Sequence, residues 1–542
     1  MRLDPERRPA DGMLRAWQPL SRPSLNRWQA TSAQFLATSG LNMNIRLERA
    51  VCSAAIFGLF VCFVWLNFPV VLGGLGHADD AYFAMGAKTL AAGRGYGIPW
   101  SDGQVLLFNI VSAGPALILP VALAIMAVGP VDWLPALVTT MIFGCQLLVA
   151  AGVLWRGFGY TQAAAFEFVM MTLLMIASAS NWYFGAFLGE PIAFGFLLIA
   201  MAIIAVSRAR VMIATAALCL SLAVLTKLIA LFAAVGIVGA WAIVSAYERK
   251  PMSQIIWDLG LLVAVGSILP LIYELVQLAT LGWSGYIANW KGTMPSVAVM
   301  AIGSGDISDR LATFVKTFDA RYASPLLVVC LVAASTLAFL FLGDARRVEH
   351  VRAVRFALLA LGGVTVYFAY ILLVSTWEVP WWPRYYWIGV AVGCCGIAAP
   401  ALVLGARARM LAVVGMILLI AIFGWYKPLY QLRQWESAST APQERASIVQ
   451  LLDSNSSLPV AADSWNALYD IIFLEKKEGP WAWGPDVKRL RGQPFVGIIG
   501  VFTNKSSAFF KAVTDSCELL TPGAQLLSAY RCNSAFWNGY GD

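Results

Sequence analysis

Asp79 and Asp80 stand side by side in a chain of 542 residues in which charged side chains make up only 13%. Two carboxylates in such surroundings need a reason. An Asp just ahead of AYFAMGAKTLAA can cap the free backbone N–H groups of a helix and sit well with the positive end of its dipole. The same setting keeps a carboxylate ionised, as a general base requires at the rim of a membrane cavity. One residue can do both. Further along, Glu190, Lys227, Glu274 and Arg384 are charged residues set at or inside otherwise apolar stretches. Each has a bland reading and a chemical one. Glu190 can simply complement a helix dipole, and Lys227 can snorkel to headgroups or meet an anion. Glu274, in PLIYELVQL, lies within or at the rim of an apolar span, where an unpaired carboxylate is costly and therefore a functional candidate. Arg384, between Pro383 and Tyr385 in STWEVPWWPRYYWIG, can belong to an interfacial aromatic belt or grip a phosphate with two parallel hydrogen bonds.

The elements that must position these groups are membrane helices. The chain is 59% hydrophobic with 21 Trp and a mean hydropathy of +0.71, more apolar surface than a soluble domain can hide from water. Its net charge of +8 is no sign of nucleic-acid binding, because much of the Arg and Lys lies in short connections that orient the chain in the bilayer. Membrane lipids are the expected surroundings. Cys52, Cys62, Cys145, Cys219, Cys330, Cys394 and Cys395 fall in apolar stretches without metal-ligand spacing and read as small hydrophobes. Residues 1–49 are polar and Arg-rich, without a removable signal peptide, and are expected to form a basic cytoplasmic arm along anionic headgroups.

Apolar spans follow at about Ala50–Leu72, Val105–Val128, Trp133–Trp155, Ala163–Ser180, Pro191–Val206, Val211–Leu225, Ile229–Ala246, Ile256–Gln277, Pro325–Leu342, Phe356–Val374, Trp387–Leu404 and Met410–Trp425. Charge parity decides which of them cross. If Val105–Val128 traversed the bilayer, the basic clusters at Arg156, Arg208 with Arg210, Tyr247–Lys250, Asp344–Arg355 and Arg407 with Arg409 would all lie outside. If it turns back, all lie in the cytoplasm, as the positive-inside rule requires. Gly114, Pro115, Pro120, Gly129 and Pro130 suit a broken, partly embedded segment. Eleven crossings and an external C-terminus result.

On these residues the chain resembles the GT-C glycosyltransferases: an acidic pair after the first membrane helix, Tyr82, a short helix, GRGYG, and a Gly-Pro turn leading to LILP. Protein O-mannosyltransferases and the lipid A aminoarabinose transferases belong to this superfamily. The resemblance implies a mainly α, polytopic bundle with juxtamembrane helices in the first external loop. It also implies transfer of a monosaccharide from a polyprenyl-phosphate donor to an acceptor hydroxyl of an envelope glycan, lipopolysaccharide or protein, with inversion. Asp79 or Asp80 would be the base. Tyr82, Glu190, Glu274, Trp377 and Glu378 would face sugar, with Glu190 at the family's second acidic position, and Lys227, Arg384, Tyr385 and Arg321 would hold the lipid phosphate. Some members use a divalent metal. His77, Asp79, Asp80 and Glu190 are not spaced diagnostically for one, and the expectation is catalysis without a cofactor.

The expected organisation is therefore a cytoplasmic arm over 1–49, a catalytic membrane domain over 50–427 and a small α/β periplasmic domain over 428–542, all in a bacterial inner membrane. The external stretch from about Leu278 to Ser324 is expected to form a loop, long for a simple connection, that suits a flap over a sugar site or a flexible tether. In the last domain, Cys517 and Cys532 either remain thiols or close CELLTPGAQLLSAYRC as a disulfide. A membrane transporter, or a polysaccharide polymerase or ligase using diphosphate-linked donors, is the competing reading. A transporter should show two related halves, and a diphosphate-dependent enzyme an Arg-rich external loop. Replacing Asp79 and Asp80 separately by Asn should abolish transfer by the purified protein for at least one of them; full activity in both variants would remove the base from this pair.

Overall fold

The computed structural model describes the chain from residue 53 to 540 except for residues 101–104, 108–112, 178–188, 302–307, 309–324, 343–347, 374–383, 406–439, 463–480, 501–504, 525–526 and scattered positions between 55 and 100. After a first apolar segment whose described residues are helical come α1 (Ala78–Ala91), β1 (Gly97–Pro99), β2 (Val105–Leu107) and α2 (Pro115–Val128). The long apolar helices follow: α3 (Leu134–Phe158), α4 (Tyr160–Ala177), α5 (Glu190–Val206), α6 (Arg210–Thr226), α7 (Ala230–Tyr247), α8 (Met252–Ala301), α9 (Pro325–Leu342), α10 (Val348–Leu373) and α11 (Arg384–Ala398). Among the described residues, Leu134–Phe158, Ala230–Tyr247, Met252–Lys291 and Val348–Leu373 are long and apolar enough to cross a membrane.

Val105–Val128 is not one helix. Its first residues form β2, paired antiparallel with β1 so that Ile98 faces Leu106. Its remainder is the 14-residue α2, about 21 Å long and so short of the ~30 Å hydrocarbon layer. The chain also returns to the end it left. Leu75, after the first apolar segment, and Leu134, at the start of α3, share one buried core, and a Cβ built on Gly74 would come within 2.9 Å of Asp132 Oδ2. A segment that starts and finishes at the same end of the bundle has not traversed it.

The opposite end gathers the basic connections. Arg355 of α10 donates to Glu248, just past α7, and to the Ala205 carbonyl of α5 at 3.0 Å. Arg352 reaches the Gly157 carbonyl of α3 at 2.6 Å. Arg208 pairs with Glu248 at 2.9 Å, and Arg210 with Asp258 at 3.7 Å. The guanidinium groups therefore tie together the ends of α3, α5, α7 and α10, as one shared side for these connections demands.

One expectation needs correction. The region after Gln277, expected to be a loop, stays helical as far as Ala301 but breaks at Gly282, whose φ of 66° is a left-handed conformation suited to glycine. Tyr286 donates to Glu274 at 2.8 Å across twelve residues, which on a straight helix would lie about 18 Å apart. Residues beyond Gly282 thus fold back on α8. Interspersed Gly and charged residues resemble loop composition, whereas Tyr286, Asn289 and Trp290 form a helical face that meets Glu274 and Gln277.

After α12 (Thr440–Ser454) come β3 (Val460–Ala462), β4 (Trp481–Trp483), β5 (Phe495–Gly500), α13 (Ala508–Ser516), β6 (Glu518–Leu519) and β7 (Leu527–Cys532). They build a five-stranded mixed sheet in the order β4-β3-β5-β7-β6, and a disulfide joins Cys517 to Cys532. The uninterrupted apolar run of β5 follows from burial on both faces. Val496 and Ile498 join the core that holds α1 and α2, while Phe495 and Ile499 join a second core with Phe509, Val513 and Phe536. Alternation along the strand separates the two sets, so the sheet docks directly on the segment bearing the acidic pair. Alkaline phosphatase fused after Asp132 or Asp542 should be active and fused after Arg210 or Lys250 silent; the reverse at Arg210 would mean that α2 crosses.

Candidate functional site

α1 is seated by small residues. Ala81, Ala84 and Ala87 are fully buried at three-residue spacing, letting the helix lie close to α2, and Lys88 in its last turn suits the negative end of the dipole. Asp80 is buried, at 3% exposure. Phe83 lies one turn later, and side chains three apart share a helix face. Over the Phe83 ring sits the Lys227 ammonium, Nζ 5.0 Å from the ring centroid, a favourable cation–π distance. The same Nζ lies 3.4 Å from Glu190 Oε1, with both side chains buried. The acidic helix, the lone lysine and the second acid therefore converge on one place.

Backbone geometry brings them there. Glu190 opens α5 and Lys227 follows the last residue of α6. The start of α2 is stitched to that end of α6, with Gly114 N–H donating to the Thr226 carbonyl at 3.1 Å. A Cβ on Gly114 would fall 1.7 Å from the Leu225 carbonyl oxygen, so only glycine allows this approach. Beside it, the Tyr96 hydroxyl of GRGYG donates to the Ala113 carbonyl at 2.9 Å, and its ring meets Tyr273 of α8 edge to face, centroids 5.8 Å apart. Burial, first, and the neighbouring Tyr273 hold the Tyr96 phenol well above its ordinary range, so it stays protonated and donates.

The sequence-derived candidates divide accordingly. Glu190 and Lys227 are brought together against Phe83 of the helix that carries Asp80, and Tyr82 of that helix is half-buried against the core it shares with α2. The snorkelling alternative for Lys227 is overturned, since the side chain is buried and engaged by Phe83 and Glu190. Glu274 accepts from Tyr286 at 2.8 Å and from Trp290 at 3.3 Å, which makes it a fastening point of the α8 reversal. Asp79, Arg384 and Tyr385 occupy described helices, but their side chains lie outside the described part of the structure; Arg321, Trp377 and Glu378 lie outside the described residues, as does His77. The first turns of α5 and α11 are nonetheless neighbours: Phe194, one turn after Glu190, meets Trp387, one turn after Arg384, edge to face at 5.7 Å. Phe83 was missed by sequence reasoning, although its place three residues after Asp80 was the available signal.

Lys227 and Glu190 depend on each other. A buried charge stripped of its partner costs about 3–5 kcal/mol, so Glu190→Gln and Lys227→Met should each lower the unfolding temperature in lipid nanodiscs. The double variant should lose less than the sum, because neither charge is left stranded; strict additivity would show that the two side chains act independently.

No family model matches the chain, and no curated protein matches it. Among solved structures, the chain is similar to ArnT from Cupriavidus metallidurans in two crystal structures. With ArnT bound to undecaprenyl phosphate, the TM-score is 0.53 at 12% identity, covering 87% of this chain and 97% of that one. With ArnT in the apo state, it is 0.53 at 13% identity, covering 92% and 99%. The likeness runs over most of both chains and shows the fold: the helices of this chain are arranged like those of ArnT.

Proposed function

We propose that this chain is a glycosyltransferase that moves a monosaccharide from a polyprenyl-phosphate donor to an acceptor hydroxyl at the periplasmic face of a bacterial inner membrane. The acceptor is an envelope glycan, lipopolysaccharide or protein. The observation that carries the reading is the buried Lys227–Glu190 pair beneath Phe83 of the acidic helix: a cation and carboxylates concentrated at the end of an apolar bundle, where a lipid-borne phosphate would arrive. The undecaprenyl phosphate bound by the structurally similar ArnT is the lipid that such a donor would release.

In this reading Asp79 or Asp80 takes the proton of the acceptor hydroxyl as its oxygen bonds to the anomeric carbon. The bond from that carbon to the phosphate oxygen breaks on the opposite face, its electron pair leaves with the lipid phosphate, and configuration inverts. Lys227, with three N–H donors, can serve the leaving phosphate while keeping Glu190, and Arg384 is assigned to the same phosphate. Tyr82 and Glu190 border the sugar. The proposed charge compensation is by these cations. Residues 1–49 form the cytoplasmic arm, and the C-terminal sheet stands in the periplasm.

Purified protein offered a labelled polyprenyl-monophosphate sugar and, separately, a diphosphate-linked oligosaccharide should retain and consume only the first. Turnover of the diphosphate donor alone would favour a polymerase or ligase. Dialysis against EDTA should leave the rate unchanged; loss restored by Mg²⁺ or Mn²⁺ would assign the phosphate to a metal.

A further inference from the structure

We infer that Arg445, in the C-terminal domain, is a positioning residue for the acidic helix in the membrane domain. This rests on the proposed role of Asp79 or Asp80 as base.

Arg445 lies on α12 and is almost fully buried, at 4% exposure. Its Nη1 donates to the Leu75 carbonyl at 2.9 Å, across 370 residues of sequence. Its Nη2 lies 4.0 Å from Asp132 Oδ2, the carboxylate that faces Gly74. One guanidinium thus bridges the chain entering α1 and the connection leaving α2. Leu75 is only five residues ahead of Asp80, and its side chain is buried in the core shared by α1 and the sheet. The neighbouring Glu444 accepts from the backbone N–H of Leu527 in β7 at 3.0 Å. Adjacent residues of α12 point about 100° apart, so one grips the sheet while the other grips the membrane domain. Ile448 and Leu452, later on the same helix, fill the core between them.

A buried guanidinium that donates to the Leu75 carbonyl and lies at ion-pair distance from the Asp132 carboxylate pins the chain at this point. It sets where the chain enters α1, and therefore where the paired carboxylates stand relative to Lys227. A base displaced by about 1 Å can cost on the order of a hundredfold in rate, so α12 is coupled to the chemistry without touching substrate.

The test compares Arg445→Ala, Arg445→Lys and Val513→Ala in full-length protein in nanodiscs. Val513 lies in the outer core of the sheet and controls for simple destabilisation of the domain. Arg445→Ala should lower kcat tenfold to a hundredfold with the KM for the lipid-phosphate donor little changed, and should speed amide exchange in residues 75–83. Arg445→Lys should restore a good part of both. Val513→Ala should lower the unfolding temperature while keeping kcat and that exchange pattern. Unchanged exchange in residues 75–83 of Arg445→Ala overturns the inference, as does an equal loss of kcat in Val513→Ala at matched stability. If the wild-type chain turns over no lipid-phosphate sugar, the transferase reading fails, and the exchange arm still decides whether Arg445 holds the acidic helix.

Discussion

A lysine and a glutamate taken out of water together are the constraint around which this end of the bundle is arranged. Neither Lys227 nor Glu190 is tolerable alone at its depth, since the desolvation of a single ion amounts to several kcal/mol. Each must therefore be delivered to the other by its own helix, and α5 and α6 have to present a beginning and an end at the same point. The ring of Phe83 closes over the ammonium, which brings α1 into the same arrangement. Gly114 lets α2 come close enough to bond the end of α6.

The opposite end is held by different chemistry. There the arginines bind carbonyl oxygens at helix ends as well as carboxylates. Helix C-termini leave carbonyls unsatisfied and carry partial negative charge, so a guanidinium at Ala205 or Gly157 answers both needs. Among the described residues the bundle is thus fastened by several shared arginine contacts at one end, while the other holds the buried Lys227–Glu190 pair. Loosening the first would splay the helices, whereas loosening the second would reach the acidic helix directly.

Much of this was legible in the chain. Counting basic clusters predicted that Val105–Val128 must turn back, and the proximity of Gly74 to Asp132 places the end of the first span beside the start of α3. Glu190 and Lys227 were visible as charges in apolar surroundings, but their pairing was not, because 36 intervening residues fold as two helices whose register no local pattern encodes. The helical reversal at Gly282 was hidden by composition: WSGYIANWKG has the Gly and polar content of a loop, and its helical character is fixed by contacts back to Glu274 and Gln277. Likewise, the apolar run of β5 does not by itself say that one of its faces packs against the segment between the first apolar span and α3. Such partners are set by tertiary packing, on which single-sequence periodicity is silent.

The bond from Arg445 to Leu75 closes a loop that takes in most of the chain. A ribosome adding roughly ten residues per second needs on the order of half a minute to span that interval. Throughout that time the N-terminal helices can insert and associate, yet the Leu75 carbonyl lacks the guanidinium that will donate to it. The disulfide at the end of β7 adds a second late step that needs an oxidising compartment. Fastening of the acidic helix is consequently completed only when the tail arrives, so a truncated or stalled translation product would insert without it.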